Sequence, residues 1–132
     1  LAKAEAVALC EASPDISSAE LASRLSRIGL RRGVVTDGPR RVAVLNDTRI
    51  TLQDPPKVDR VEDVTGAGDT LAAATLYELL AGSSFDDAVR TGLAAASIHI
   101  ASDLPQGSIS RCREIGKALP PSIPHLPTES MA

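Results

Sequence analysis

The alternation of apolar and polar residues divides the first half of the chain into short amphipathic segments. Two of them repeat apolar residues at helical spacing, and the second begins at Ser17 and Glu20, which stand in the relation of a capping box. A β-branched run and two alternating runs follow, typical of a strand and a β-hairpin. The predicted elements are helices over residues 3–12 and 17–29, a strand at 34–35, and hairpin strands at 41–45 and 49–52.

The second half of the chain is rich in alanine and predicts three helices. The first, over residues 71–82, is apolar nearly all round, so we expect it to lie in the protein interior. The second opens at Ser84 with two acidic residues suited to the helix dipole, and it is expected to be buried as well. A last amphipathic helix covers residues 108–119, and the Pro-rich residues 120–132 predict an extended or flexible tail.

Composition limits the classes of function that are open to this chain. Its 132 residues, 43% of them hydrophobic, suffice for one globular domain with its own core. A net charge of −3, scattered Lys and Arg residues and 2% aromatics argue against nucleic-acid binding. Two widely separated cysteines, Cys10 and Cys112, and the lack of a membrane-length apolar run predict a cytoplasmic location without membrane contact. Leu1 in place of an initiator Met predicts that the chain begins inside a longer protein.

Residues 63–70, Asp-Val-Thr-Gly-Ala-Gly-Asp-Thr, carry the candidate chemistry because they lead directly into a helix. The first amides of a helix have no partner within it, and the glycines of Gly66-Ala67-Gly68 allow an anion to approach them. Asp69 would then lie beside a bound phosphate, where it can accept the proton of an attacking alcohol. A purely structural interpretation stays open, since Asp and Gly-x-Gly are both common at helix starts.

This segment and the small-residue helix after it resemble the second signature of the ribokinase-type (PfkB) carbohydrate kinases, D-[ST]-x-G-A-G-D. The order of the flanking elements agrees with that family over residues 1–115. The resemblance implies a ribokinase-like α/β fold, a Rossmann-like three-layer sandwich of which residues 1–119 would be the C-terminal, nucleotide-binding portion. It also implies ATP-dependent phosphorylation of a hydroxyl group on a sugar or nucleoside. The N-terminal half of the same kinase would then be a partner of this chain. A homodimer is a further partner arrangement that the resemblance allows.

The resemblance carries roles to individual residues. Asp69 matches the catalytic base, and the amides of residues 66–68 match the anion hole. The positions that match the family's nucleotide site are Thr36, Gly38, Leu93 and Ser97. The positions that match metal-handling residues are Glu5, for Mg²⁺ through water, and Asp63 and Thr65, for K⁺ in family members that use it. Within the family, the D-V-T-G-A-G-D variant looks most like pseudouridine kinases.

Three positions depart from the family pattern. Ala2 stands where an Asn is expected, Val64 replaces the Ser or Thr of the signature, and Arg41 replaces a second Gly after the nucleotide turn. These departures support a second hypothesis, that the chain is a truncated or degenerate module that binds nucleotide or only packs against a partner. A nicotinamide-binding fold is a third, less supported hypothesis, because Leu71 stands where the dinucleotide fingerprint needs a third Gly.

Four further polar residues are given smaller roles. His99 lies in an apolar helix and is predicted to be a satisfied structural histidine, whereas His125 lies in the tail and is predicted to be solvated. Asp103 and Ser108 border a loop that lies near adenine and the cation in the family, so the resemblance makes them lesser candidates for a functional role.

Overall fold

The computed structural model describes residues 1–61, 63–101 and 108–126, which divide into two compact units. The first unit holds residues 1–54 together with the described residues after position 120, and the second holds residues 55–120. Across the described ranges, no helix has the length and apolar character needed to cross a membrane.

An antiparallel sheet with two helices forms the first unit. Its elements are α1 (Lys3–Leu9), α2 (Ser18–Arg27), β1 (Arg32–Val35), β2 (Val42–Asn46), β3 (Arg49–Gln53) and β4 (Ile123–His125), with the strands paired in the order β1-β2-β3-β4. Ser17 caps α2, since its Oγ accepts the Glu20 N–H at 3.1 Å. The buried core of this unit comprises Ala6, Leu21, Ala22, Leu25, Val35, Ala43, Leu45 and Ile50. The predicted helices, strand and hairpin are all confirmed.

Strand β4 corrects the description of the Pro-rich end as a tail. Ile123–His125 pairs with β3 in antiparallel register, with His125 opposite Ile50. His125 is half-buried and its Nε2 is shielded from solvent, so the prediction that it is solvated is wrong. The strand that β4 pairs with, β3, is far away in sequence, so local composition could not predict the pairing. Residues 127–132 lie outside the described residues.

Three helices form the second unit: α3 (Ala67–Leu80), α4 (Phe85–Ile100) and α5 (Ile109–Ala118). The Oγ atoms of Ser84 and Ser108 cap α4 and α5 by accepting the N–H groups of Asp87 and Arg111, each at 3.2 Å. Helix α4 packs against both α3 and α5. It is largely buried, as predicted.

Helix α3 is only partly buried, which corrects the expectation that it lies in the interior. Its buried positions form one stripe and are Leu71, Thr75 and Glu78. The large residues on its other side are Leu76, Tyr77 and Leu80, which are 60%, 55% and 90% exposed. A helix that is apolar nearly all round carries no pattern that tells which face its neighbours cover, and this explains the error.

Gly92 sets the close approach of α3 and α4. A Cβ at this position would overlap Thr75 Oγ1 and would lie 2.8 Å from the Leu71 carbonyl oxygen. We expect Gly92→Ala to force the two helices apart and to lower the free energy of unfolding by about 1–3 kcal/mol, the usual range for overpacking. Denaturant unfolding of the protein measures the change.

Gly68→Ala is the matched control for this substitution. Gly68 also lies in a helix, but a Cβ there meets no heavy atom within 4 Å. The control should keep or gain stability, because Ala is the better helix former. Equal stability of Gly92→Ala and the wild type would contradict the tight contact between α3 and α4.

Candidate functional site

The loop before α3 is a tight turn held by its own polar groups. The Thr65 N–H donates to Asp63 Oδ1 at 2.9 Å. Gly66 follows with a φ of +82°, a left-handed conformation that glycine adopts without strain. Hydrogen bonds from the side chain and backbone of Thr65, aided by the nearby His99, hold the pKa of the exposed Asp63 below its ordinary value of 3.8. The turn therefore favours an ionised carboxylate at its start and directs the chain into α3.

The first turn of α3 combines backbone amides with one exposed carboxylate. The Ala67 N–H donates to the carbonyl three residues earlier at 3.1 Å, so this amide is engaged within the turn. Thr70 bonds the Gly66 carbonyl through both its N–H and its Oγ1, each at 2.9 Å. Gly68 has open space where a side chain would be, and Asp69 is exposed. Of the three amides predicted to bind an anion, those of Gly66 and Gly68 therefore remain candidates, whereas that of Ala67 is turned inward.

His99, in the last turn of α4, contacts this loop. Its Nε2 lies 2.8 Å from the Thr65 carbonyl oxygen and 3.1 Å from the position that a Cβ of Gly66 would take. The sequence predicts a satisfied structural histidine. The ring does have a hydrogen-bond partner, but it is exposed and lies against the candidate site. Helical spacing indicates which face of α4 holds His99 but not which loop approaches that face, so this contact was missed.

Leu93 and Ser97 lie one turn apart in α4 and have different surroundings. Leu93 is buried, with 4% of its surface exposed. Ser97 Oγ donates to the Leu93 carbonyl at 2.9 Å, and Ser97 lines a cavity of about 250 Å³ within the second unit. The other cavity walls include the apolar Ala94, Ile98 and Ile115 and the charged Lys57, Asp59 and Arg60. The predicted contact with a nucleotide is therefore better carried by Ser97 than by Leu93, which serves the core.

Two of the three candidate residues of the first unit, Thr36 and Glu5, make hydrogen bonds that hold the fold. The Thr36 N–H donates to the Leu1 carbonyl at 2.9 Å, which joins the start of the chain to β1. Gly38 has a φ of +57° and lies in open space. Glu5 Oε1 accepts the Ala2 N–H at 2.8 Å and so closes the N-terminus of α1. Their nucleotide and metal roles rest on the family resemblance.

The acidic, His and Cys side chains of the described residues form no cluster that would hold a metal ion. In the ranges 1–61, 63–101 and 108–126, no three His, Cys, Asp or Glu side chains are placed to hold one. The Glu5 carboxylate caps α1, and the Asp63 carboxylate and the Thr65 carbonyl both accept hydrogen bonds from neighbouring groups. Ser108 caps α5, and Asp103 lies outside the described residues. We therefore derive no step through a metal ion held by this chain.

Comparison with known proteins identifies the family of this chain. The profile of the pfkB family carbohydrate kinases matches residues 2–112. The chain belongs to the PfkB family. The family predicted from the sequence is confirmed. A curated relative, the bifunctional protein HldE of Bradyrhizobium diazoefficiens, is 36% identical over 87 residues, which are 66% of this PfkB chain and 17% of that protein.

Solved structures confirm the predicted ribokinase-like α/β fold. A carbohydrate kinase from Agrobacterium tumefaciens is 31% identical, with a TM-score of 0.70, and the match covers 94% of this PfkB chain and 39% of that one. Ribokinase from Arabidopsis thaliana, solved with ribose and ATP, is 22% identical with a TM-score of 0.68 and shows similarity of fold alone. This match covers 88% of the present chain and 38% of that ribokinase.

Proposed function

We propose that this PfkB-family chain is the nucleotide-binding portion of a kinase that phosphorylates a hydroxyl group of a sugar or nucleoside, with ATP as donor. One observation carries the proposal: the left-handed turn at Gly66 leads into α3 with the exposed Asp69 in its first turn. A helix N-terminus carries partial positive charge and amides that suit a phosphate group. Family membership supports the reaction class.

In the proposed reaction, Asp69 accepts the proton of the acceptor hydroxyl as its oxygen attacks the γ-phosphorus of ATP. The bond to the β-phosphate oxygen breaks, and ADP leaves with the electron pair. The amides of Gly66 and Gly68 stabilise the charge that develops on the transferred group. The exposure of Asp69 supports this role because an acceptor molecule can reach its carboxylate.

The nucleotide is the second part of the proposal. Ser97 is the proposed contact of ATP within the second unit. Mg²⁺ enters as part of the MgATP substrate. The cavity at Ser97 supports a nucleobase contact, since its apolar walls suit the face of a purine.

A second candidate function is a nucleotide-binding or structural module without activity of its own. Arg41, which stands in place of a family glycine, favours it, because its Nε pairs with Asp54 Oδ1 at 2.9 Å instead of leaving an open glycine turn. Ala2 and Val64 favour it too, since neither side chain can replace the polar residue of the family pattern.

Calorimetry separates the two candidates when it is combined with an assay of turnover. The complete polypeptide is titrated with MgATP and then assayed with a panel of pentoses, hexoses and nucleosides. Binding together with transfer to one of these acceptors supports the kinase. Binding without transfer to any acceptor supports a nucleotide-binding module. The absence of binding contradicts the kinase and leaves the structural module.

A further inference from the structure

His99 lies where it can orient part of the proposed anion hole. Its Nε2 is 2.8 Å from the Thr65 carbonyl oxygen. A carbonyl only accepts hydrogen bonds, so Nε2 carries the proton in this contact and donates it. The His99 ring also fills the space beside Gly66, at 3.1 Å from where a Cβ would be. One side chain therefore contacts two neighbouring residues of the turn before α3.

The Thr65 carbonyl and the Gly66 N–H belong to the same peptide group. A trans peptide is planar, and its C=O and N–H point to opposite sides. A hydrogen bond that fixes the direction of the Thr65 oxygen therefore fixes the direction of the Gly66 N–H as well. The Asp63 carboxylate accepts the N–H of Thr65 at 2.9 Å and restrains the preceding peptide group in the same way.

Helix α4 gives His99 a rigid base. The helix has 16 residues, eight of which are buried. On the far side of the turn, Thr70 holds the Gly66 carbonyl through two hydrogen bonds. The peptide group between Thr65 and Gly66 is thus the part of the turn whose direction depends on a side chain from another helix.

We propose that His99 is a positioning residue, which aims the Gly66 N–H at the phosphoryl group in transfer by holding the Thr65 carbonyl. This inference rests on the proposed function, because it assumes that the Gly66 amide stabilises the transferred group. It assigns no proton transfer to His99. An amide that is aimed at the transition state acts on turnover more than on the binding of ATP.

Three substitutions test this role in the complete polypeptide. His99→Leu removes the donor, and the amide of His99→Asn is too short to reach Thr65. The longer amide of His99→Gln can take the place of Nε2. We expect the kcat of the Leu and Asn variants to fall by about 10- to 100-fold with little change in the KM for ATP. The reason is that the Gly66 N–H would no longer be held in the direction of the transferred group. The Gln variant should keep kcat within about threefold of the wild type.

Binding of ADP with aluminium fluoride, a mimic of the transferred phosphoryl group, adds a second measurement. The Asn variant should bind this mimic more weakly by about the factor lost in kcat, while its affinity for a non-hydrolysable ATP analogue stays unchanged. Wild-type kcat in the Leu and Asn variants, equal losses in Asn and Gln, or a change confined to KM would overturn the inference. An inactive wild type would instead overturn the proposed function.

Discussion

Replacing Asp69 with Asn is expected to lower the kcat of phosphoryl transfer by about 10²- to 10⁴-fold. The amide has almost the same size as the carboxylate but cannot accept the proton of the acceptor hydroxyl. Asp69 is exposed in the first turn of α3, so the exchange should leave the packing of the helix intact. Affinity for ATP should change little, because the proposed nucleotide contacts lie on other residues. Steady-state kinetics with calorimetry of MgATP binding measures both quantities.

Asp87→Asn is the matched control for this substitution. Asp87 stands three residues after its N-cap Ser84, as Asp69 stands three residues after Gly66. Both exchanges remove one negative charge from the first turn of a helix in the same unit and cost a similar dipole interaction. Asp87→Asn should retain wild-type kcat. An Asp69→Asn variant that turns over as fast as this control would contradict the role of Asp69 as base.

Replacing Arg113 with Met is expected to lower the free energy of unfolding by about 3 kcal/mol, the lower end of the range for breaking a buried ion pair, because Arg113 is partly exposed. The Arg113 guanidinium donates to both carboxylate oxygens of Glu78 at 2.8–3.1 Å. The Glu78 side chain is 4% exposed and that of Arg113 is 39% exposed. Met keeps most of the aliphatic volume but removes the cation, and the Ser83 hydroxyl, which donates to Glu78 Oε2 at 3.3 Å, cannot balance the buried charge. Denaturant unfolding at neutral pH measures the loss.

Glu78→Gln is the control that removes the other charge of the pair. It should lower the free energy of unfolding by less than Arg113→Met does. The guanidinium left behind is the more exposed partner and can turn towards water, whereas the carboxylate cannot. A larger loss in Glu78→Gln than in Arg113→Met would contradict the assignment of Glu78 as the buried member of the pair.

The same ion pair should also make the stability of the protein depend on pH. Arg113 holds the pKa of Glu78 below its ordinary value of 4.5. A carboxyl group with a lowered folded-state pKa adds stability above its unfolded value, and this stability is lost as the pH falls through the folded value. The wild type should therefore lose this contribution below about pH 4.5. In the Arg113→Met variant, burial without the cation would raise the pKa of Glu78 instead. The difference in free energy of unfolding between variant and wild type should therefore shrink in acid.

The parts of the fold that could be predicted from the sequence are those fixed by neighbours along the chain. The cap of α2 at Ser17 and the β2-β3 hairpin depend on residues within a few positions, and both were found where expected. Strand β4 depends on pairing with a strand that is distant in sequence. Which side of α3 is exposed depends on which side its neighbouring helices contact. Neither dependence leaves a periodic pattern in the sequence.

The candidate site divides in the same way. The sequence predicted that the Gly66–Asp69 segment leads directly into a helix, although α3 begins at Ala67, before the predicted start at residue 71, and so includes Asp69. The inward hydrogen bond of the Ala67 amide and the contact of His99 with Thr65 could not be predicted. They depend on backbone torsions and on how α4 meets the loop, neither of which residue types alone determine.

Transfer of labelled phosphate from γ-³²P-ATP tests the central claim most directly. The complete wild-type polypeptide and its Asp69→Asn variant are incubated with MgATP and a panel of sugars and nucleosides, and the labelled products are separated. The proposed function predicts a labelled phosphate ester with at least one acceptor, together with a loss of about 10²-fold or more in the variant. Equal labelling by both proteins, or no labelled ester from a wild type that binds ATP, would contradict it.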